Sequence, residues 1–234
     1  MSFLSVCLVV ALGLGALFTT RYTAAGLDKE YSAYYNARNF KDFELIASLG
    51  VSEASLEKIR SVEGVTAAEG VMLADGVISF GGKNRNAVVS SITKEVSVPE
   101  LTEGSLPSGK EECMIGEDFA ELEGLKTGDR IGITLSGMDA LGDEQPLYKK
   151  EFTITGLMHN PEQFKRLSVN TVALPAEAFN EEATNGLYTE AYVRIEEPEK
   201  VSMFSNAYFE ETADTKKTLE DLTVELGEDR TREM

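Results

Sequence analysis

The first twenty residues, MSFLSVCLVVALGLGALFTT, hold no charged side chain, and the first charge is Arg21. As a helix at about 1.5 Å per residue such a run reaches roughly 30 Å, the thickness of a bilayer's hydrocarbon core. Everything after it has to be placed relative to a membrane. Three readings fit: a transmembrane helix over residues 1–21, a secretory signal peptide, and the buried helix of a soluble protein. A signal peptide wants a basic leading segment, a shorter apolar stretch and small residues at a cleavage site. Thr19, Thr20, Thr23, Ala24 and Ala25 would serve as that site, but no Lys or Arg precedes the run. The balance favours a transmembrane helix. Within it Ala11, Gly15 and Thr19 recur every four residues. They share one helical face and form a small-xxx-small seam where a second helix can approach closely. The alternative is the ordinary small-residue content of membrane helices.

The chain of 234 residues carries 40 acidic and 22 basic side chains, a net charge of -18. This argues against nucleic acid or anionic lipid headgroups as the main partner, since binding either rests on Lys and Arg neutralising phosphate. Only Arg21 and Lys29 lie near the end of the apolar run, so basic residues cast no strong vote on topology. Cys7 falls inside the run and Cys113 far outside it, so two free thiols are expected. One histidine, His159, leaves almost no material for a metal site or an imidazole relay.

After the run, residues 22–39 are polar with Tyr31, Tyr34 and Tyr35 interspersed, which predicts a helical stalk leaving the membrane. Its tyrosines serve either as interfacial anchors or as the start of the soluble core. Residues 40–47 alternate with strand period, Ser52 is placed to cap a helix that buries Leu56, Ile59 and Val62, and Gly64 stops it. Strands are predicted at 65–71, 77–80 and 87–92, the last two joined by a turn at Gly81, Gly82, Lys83 and Asn84. A second block opens near Glu103. It has strands at 113–115, 130–135, 152–157 and 169–174, a short helix at 117–122, a polar loop at 136–145 and Pro175 opening another short helix. If residues 191–195 return to the first sheet, this block is inserted in the first. Beyond Pro198, Val201, Phe204, Ala207 and Tyr208 have helical spacing, which fades into a charged tail at 227–234.

No reaction centre emerges. The segment GSLPSGKE at 104–111 comes within one residue of a phosphate-binding loop, but Glu111 stands where Ser or Thr would hold magnesium. A turn entering a strand is the simpler reading. His159 beside Asn160 and Pro161 has no G-x-S-x-G elbow, and reads as a loop residue. Asp139, Asp143 and Glu144 lack the alternating spacing of a calcium loop, and Lys165 with Arg166 reads as a solvated basic pair.

Several stretches together resemble the FtsX-like, MacB-type ABC transporter permeases: VALGLGALFTT at 10–20, FKDFE at 40–44, LEKIRSVEGVTAAEG at 56–70, EGSLP at 103–107, ECMI at 112–115, GLKTGDRI at 124–131 and FTITGL at 152–157. The resemblance covers nearly the whole chain. It implies an α+β fold: a first transmembrane helix (1–21), then an extracytoplasmic domain. That domain would have a porter-like part (22–102), an inserted, mainly β sabre-like part (103–175), a return to the porter-like part (176–213) and a polar tail (214–234). It also implies a membrane-bound subunit with residues 22–234 outside the cell membrane, a second permease copy or related permease as partner, and a separate cytoplasmic ATPase. Members carry a short lead-in before the first helix and three more membrane helices after the core domain, so this chain is expected to be a fragment. No catalytic, cofactor-binding or metal-ligating residue carries over, and the only residues singled out are Ala11, Gly15 and Thr19. From another class, a single-pass membrane-anchored extracellular binding protein fits the same residues.

Overall fold

In a computed structural model, residues 2–136, 146–162, 170–196 and 205–233 are described. Val169 of the strand expected at 169–174, the loop residues 137–145 with Asp139, Asp143 and Glu144, the pair Lys165 and Arg166, and Val201 with Phe204 lie outside them.

Helix α1 (Ser2–Ala37) runs uninterrupted for 36 residues. At 1.5 Å per residue it is about 54 Å long, so a bilayer core leaves roughly 24 Å of it as a stalk. It is the one described helix long and apolar enough to cross a membrane. Its large side chains, Phe3, Val6, Leu8, Leu12, Leu17 and Phe18 among them, are exposed in the isolated chain.

Past the stalk the chain builds two sheets. The smaller contains β1 (Phe43–Val51), β2 (Val65–Val71) and β10 (Tyr188–Ile195), with β10 in the middle and antiparallel to both neighbours. Strands β1 and β2 are therefore parallel to each other, joined by helix α2 (Glu53–Arg60). Ser52 caps α2 as its sequence predicts, its hydroxyl accepting from the Ser55 amide at 3.1 Å. Leu56 and Ile59 then pack on Val51, Ala68, Ala191, Val193 and Ile195. Strand β1 starts later than residue 40, because Phe40, Lys41 and Asp42 make the turn out of α1. The return of residues 191–195 to this sheet, posed above as a condition, is met by β10.

The helical spacing that reaches Tyr208 gives α5 (Asn206–Glu211), and the polar tail expected at 214–234 continues as a second helix, α6 (Ala213–Glu233). Leu219, Leu222 and Leu226 form a helical stripe that joins the α2 side of the sheet, Leu219 only 1% exposed. Three leucines at that spacing suffice, although the segment around them is strongly charged.

The larger sheet takes β3 (Leu73–Phe80), β4 (Lys83–Ser91), β5 (Glu100–Gly104), β6 (Glu112–Gly116), β7 (Arg130–Ser136), β8 (Glu151–His159) and β9 (Asn170–Leu174) in the order β5-β8-β6-β9-β4-β3-β7. Strand β7 also pairs with the first residues of β8, so six strands close into a ring, with β5 alongside the second half of β8. Alternate residues fill its interior: Ile78, Ala87, Val89, Cys113, Ile115, Ile131, Ile133, Phe152, Ile154, Val172 and Leu174. Helix α3 (Glu117–Glu123) adds Phe119 and Ala120. Burial in this core pushes the Cys113 thiol up to about 12, and both cysteines are free.

Strands β3 and β4, expected in the first unit, belong to the ring. The chain passes from one sheet to the other at Val71, Met72 and Leu73, where no Gly or Pro marks the change. The hairpin turn at Gly81 and Gly82 does form, both with positive φ (51° and 75°), the geometry a two-residue loop needs. Strand β5 was not anticipated. It ends at Gly104, where φ is +81° and a Cβ would run into the Thr155 carbonyl, so only glycine lets β5 lie this close to β8. The chain returns to the small sheet through a short 3₁₀ turn (Ala176–Ala178) that follows Pro175, and then α4 (Glu181–Thr184). The two passages meet at one hydroxyl: Thr189 Oγ1 accepts from the Leu73 amide (2.7 Å) and donates to the Val71 carbonyl (2.9 Å).

Candidate functional site

A domain on a membrane helix acts through the place where the two are fastened. Here that place is built from consecutive residues of opposite charge, Lys41 and Asp42, just past the end of α1. Aromatic packing leads to it: Tyr31 stacks on Tyr35 at 6.3 Å between ring centres, and Tyr35 lies 4.2 Å from Phe40. The Phe40 amide donates back to the Tyr35 carbonyl (2.9 Å), and Asn39 takes φ +49° to make the turn.

Lys41 bridges the small sheet and the ring-side loops. Its side chain is 2% exposed, and its ammonium lies 2.6 Å from Glu44, 2.9 Å from Glu162 and 3.4 Å from the centre of the Tyr192 ring. Such a buried cation is tolerable only because carboxylates and an aromatic face replace its hydration. The Lys41 amide donates to Ser97 Oγ (3.1 Å), which itself donates to Glu162 (2.9 Å). The amides of Ser97 and Val98 donate to the carbonyls of Asn39 and Arg38, and Arg38 pairs with Glu100 at 2.5 Å. Thus the β4–β5 connection is laced to the stalk's end by backbone and side chain together.

Asp42 faces the other way. Its side chain is fully buried and accepts from Arg194 (3.1 and 3.2 Å), from the Ile195 amide (2.8 Å) and from the Tyr208 hydroxyl of α5. Arg194 also donates to the Phe40 carbonyl and to Asn36 of α1. A third tie comes from β2. The Glu69 carboxylate accepts from the amides of Lys94 (2.9 Å), Glu95 (2.9 Å) and Val96 (3.1 Å). Stalk, small sheet and ring therefore meet in one network. Beside it lies a small hollow of about 30 Å³ whose polar border is Ser97, Asn160, Glu162 and Thr171. The Thr171 hydroxyl has no protein partner among the described residues, and the space admits water.

The residues singled out from sequence lie elsewhere. Ala11, Gly15 and Thr19 are exposed on α1; Thr19 donates to the Gly15 carbonyl (2.9 Å), and a Cβ on Gly15 meets nothing within 4 Å. No residue of this chain covers the seam among those described. His159 ends β8 and pairs with Glu117 at 2.6 Å. The GSLPSGKE segment is the β5–β6 loop, in which Glu112 accepts from the Ser108 amide (2.7 Å) and Glu111 pairs with Lys149. Sequence reasoning missed Lys41 and Asp42. Their signal was two adjacent charges inside FKDFE, where the alternating pattern asks for one apolar residue in two.

A helix of membrane-spanning length fastened to a three-stranded sheet and a strand ring defines an α+β domain that follows a candidate membrane span. The chain matches the MacB-like periplasmic core domain over residues 2–207 and belongs to that family, the extracytoplasmic domain of FtsX-like ABC transporter permeases. Among solved structures it is similar to three. The extracellular domain of the noncanonic ABC-type transporter YknZ from Gram-positive bacteria has a TM-score of 0.45 at 12% identity, covering 72% of this chain and 87% of that one. The periplasmic region of MacB from Actinobacillus actinomycetemcomitans has 0.43 at 10% identity, covering 77% and 83%. A permease protein domain from Porphyromonas gingivalis has 0.40 at 20% identity, covering 75% and 78%. Comparison with curated proteins finds no match.

Proposed function

We propose that this chain is the first membrane helix and outer domain of an ABC permease that transmits the work of a separate cytoplasmic ATPase across the cell membrane, for substrate extrusion or for mechanical signalling. The observation that carries this reading is the continuity of α1 into the Lys41–Asp42 network: a displacement of the helix has no flexible linker in which to dissipate. In this reading residues 22–234 are extracytoplasmic, the small sheet is the porter-like part, and the ring, residues 73–174, is the sabre-like insertion. A second permease, identical or related, stands beside it.

The test uses the complete permease with its ATPase in nanodiscs, with Cys7 replaced by serine and a spin label on each of two permeases at Leu122, which is 78% exposed. Trapping the ATPase with ATP and vanadate should shift the distance between labels. Hydrolysis with an unchanged distance would sink the coupling reading. The seam has its own test: Gly15→Leu should reduce recovery of the paired permeases several-fold, and unchanged pairing removes Ala11, Gly15 and Thr19 as a packing face.

A further inference from the structure

Away from α1, few large apolar side chains of the described residues are exposed, and three of them gather in one place. Leu101 (38%), Leu106 (58%) and Tyr148 (44%) lie on the walls of a trough that runs from the stalk's end past the β5–β6 loop to the small sheet. It consists of two adjoining hollows of about 880 and 480 Å³, which share Ile92, Lys94, Lys110, Ala176 and Glu177. Val98, Pro99, Pro107 and Pro175 add apolar lining to the larger one, which reaches Arg38 at the stalk's end.

Two further features point to an occupant. Lys94 and Lys110 have no carboxylate partner among the described residues, and the Lys110 ammonium rests 3.9 Å from the Tyr148 ring centre. Of the acids along the trough, Glu100 is bound to Arg38, Glu53 to Arg60 and Glu69 to backbone amides, while Glu181 borders the smaller hollow away from the shared middle. The shared middle thus carries two lysines and Glu177, with neither lysine held by a carboxylate of the described residues, on a chain whose net charge is -18. Second, β5 ends the order of the larger sheet, with β8 as its one neighbour, and its residues Glu100 and Leu101 line the trough. A strand edge presents amides and carbonyls at the repeat of an extended chain, with flanking hollows for alternate side chains. A compact amphiphile would use the hollows but not the edge.

We propose that the trough docks an extended, mainly apolar polypeptide segment of a partner protein, added along the free edge of β5 with an acidic side chain over Lys94 and Lys110. This surface adjoins the joint at Arg38, Glu100 and Glu69 but does not rest on ATPase coupling.

The test takes the full chain in neutral detergent micelles with a short fluorescein-labelled peptide that alternates leucine and threonine and carries two aspartates at one end. By anisotropy it should bind, and its lysine-substituted counterpart about tenfold more weakly. The double variant Lys94→Glu with Lys110→Glu should reverse that preference, and Leu106→Asp should abolish binding with the thermal midpoint unchanged, because Leu106 is exposed. Hydrogen exchange should slow at residues 101–104 when the aspartate peptide is bound. Absence of peptide binding, indifference to the charge reversal, or protection confined to other segments would overturn the proposal. So would binding of sodium decanoate in the absence of any peptide binding, which would make the occupant a small amphiphile.

Discussion

Lys41→Met lowers the thermal midpoint of the outer domain by about 6–12 °C, as read by circular dichroism or scanning calorimetry. The side chain is 2% exposed, and its removal leaves Glu44 and Glu162, themselves mostly buried, facing each other's charge without a cation. Breaking one partner of a buried pair costs about 3–5 kcal/mol; the lower end applies here because both carboxylates retain some solvent. The control is Lys58→Met. Lys58 is about half exposed and reaches Glu225 only at 3.6 Å, so its loss should fall within about 0.5 kcal/mol. The triple change Lys41→Met, Glu44→Gln and Glu162→Gln should recover much of the lost stability, since the orphaned charges go with the lysine. If the single and triple variants melt together, the charge network is not what holds this joint.

Leu219→Ala should be comparably damaging, about 3 kcal/mol and again about 6–12 °C, even though it lies in a segment dominated by Asp, Glu and Lys. Leu219 is 1% exposed and packs with Val51, Leu56, Ile59 and the β10 residues Ala191 and Val193. Shortening it leaves a cavity between α6 and the sheet. Val224 on the same helix is 65% exposed, and Val224→Ala should change the midpoint little. Equal effects at the two positions would mean that α6 is not docked on the small sheet.

Local patterns made much of this fold readable. Alternation marked β7 and β8, Ser52 announced α2, and residues 65–71 were delimited by glycine and by the change of period. What stayed hidden depends on partners distant in the chain. Nothing in β3 or β4 tells which sheet it joins; that is settled by pairing with β7 and β9, which lie much further along the chain. Strand β5, ELTEG, lacks apolar alternation because its exposed residues have no core to face. The joint was the least legible part. Lys41 and Asp42 look like surface charges until Ser97, Glu162, Arg194 and Tyr208 are brought to them, across separations of 56 to 166 residues for the hydrogen bonds involved. Helix α6 was hidden by charge, its three leucines being too few to lift the mean hydropathy.

The two strand passages bridged by Thr189 bear on how the ring can move. A ring closed by hydrogen bonds resists shear, because sliding one strand breaks ladders on both of its sides. A turn of the ring against the small sheet would therefore be that of one body, with the passage where Val71 and Leu73 share the Thr189 hydroxyl as a covalent pivot. The clasp of Glu69 on residues 94–96 and the grip of Lys41 on Glu162 would be the stays on such a turn. Shortening Glu69 to aspartate would slacken one stay and leave the pivot whole.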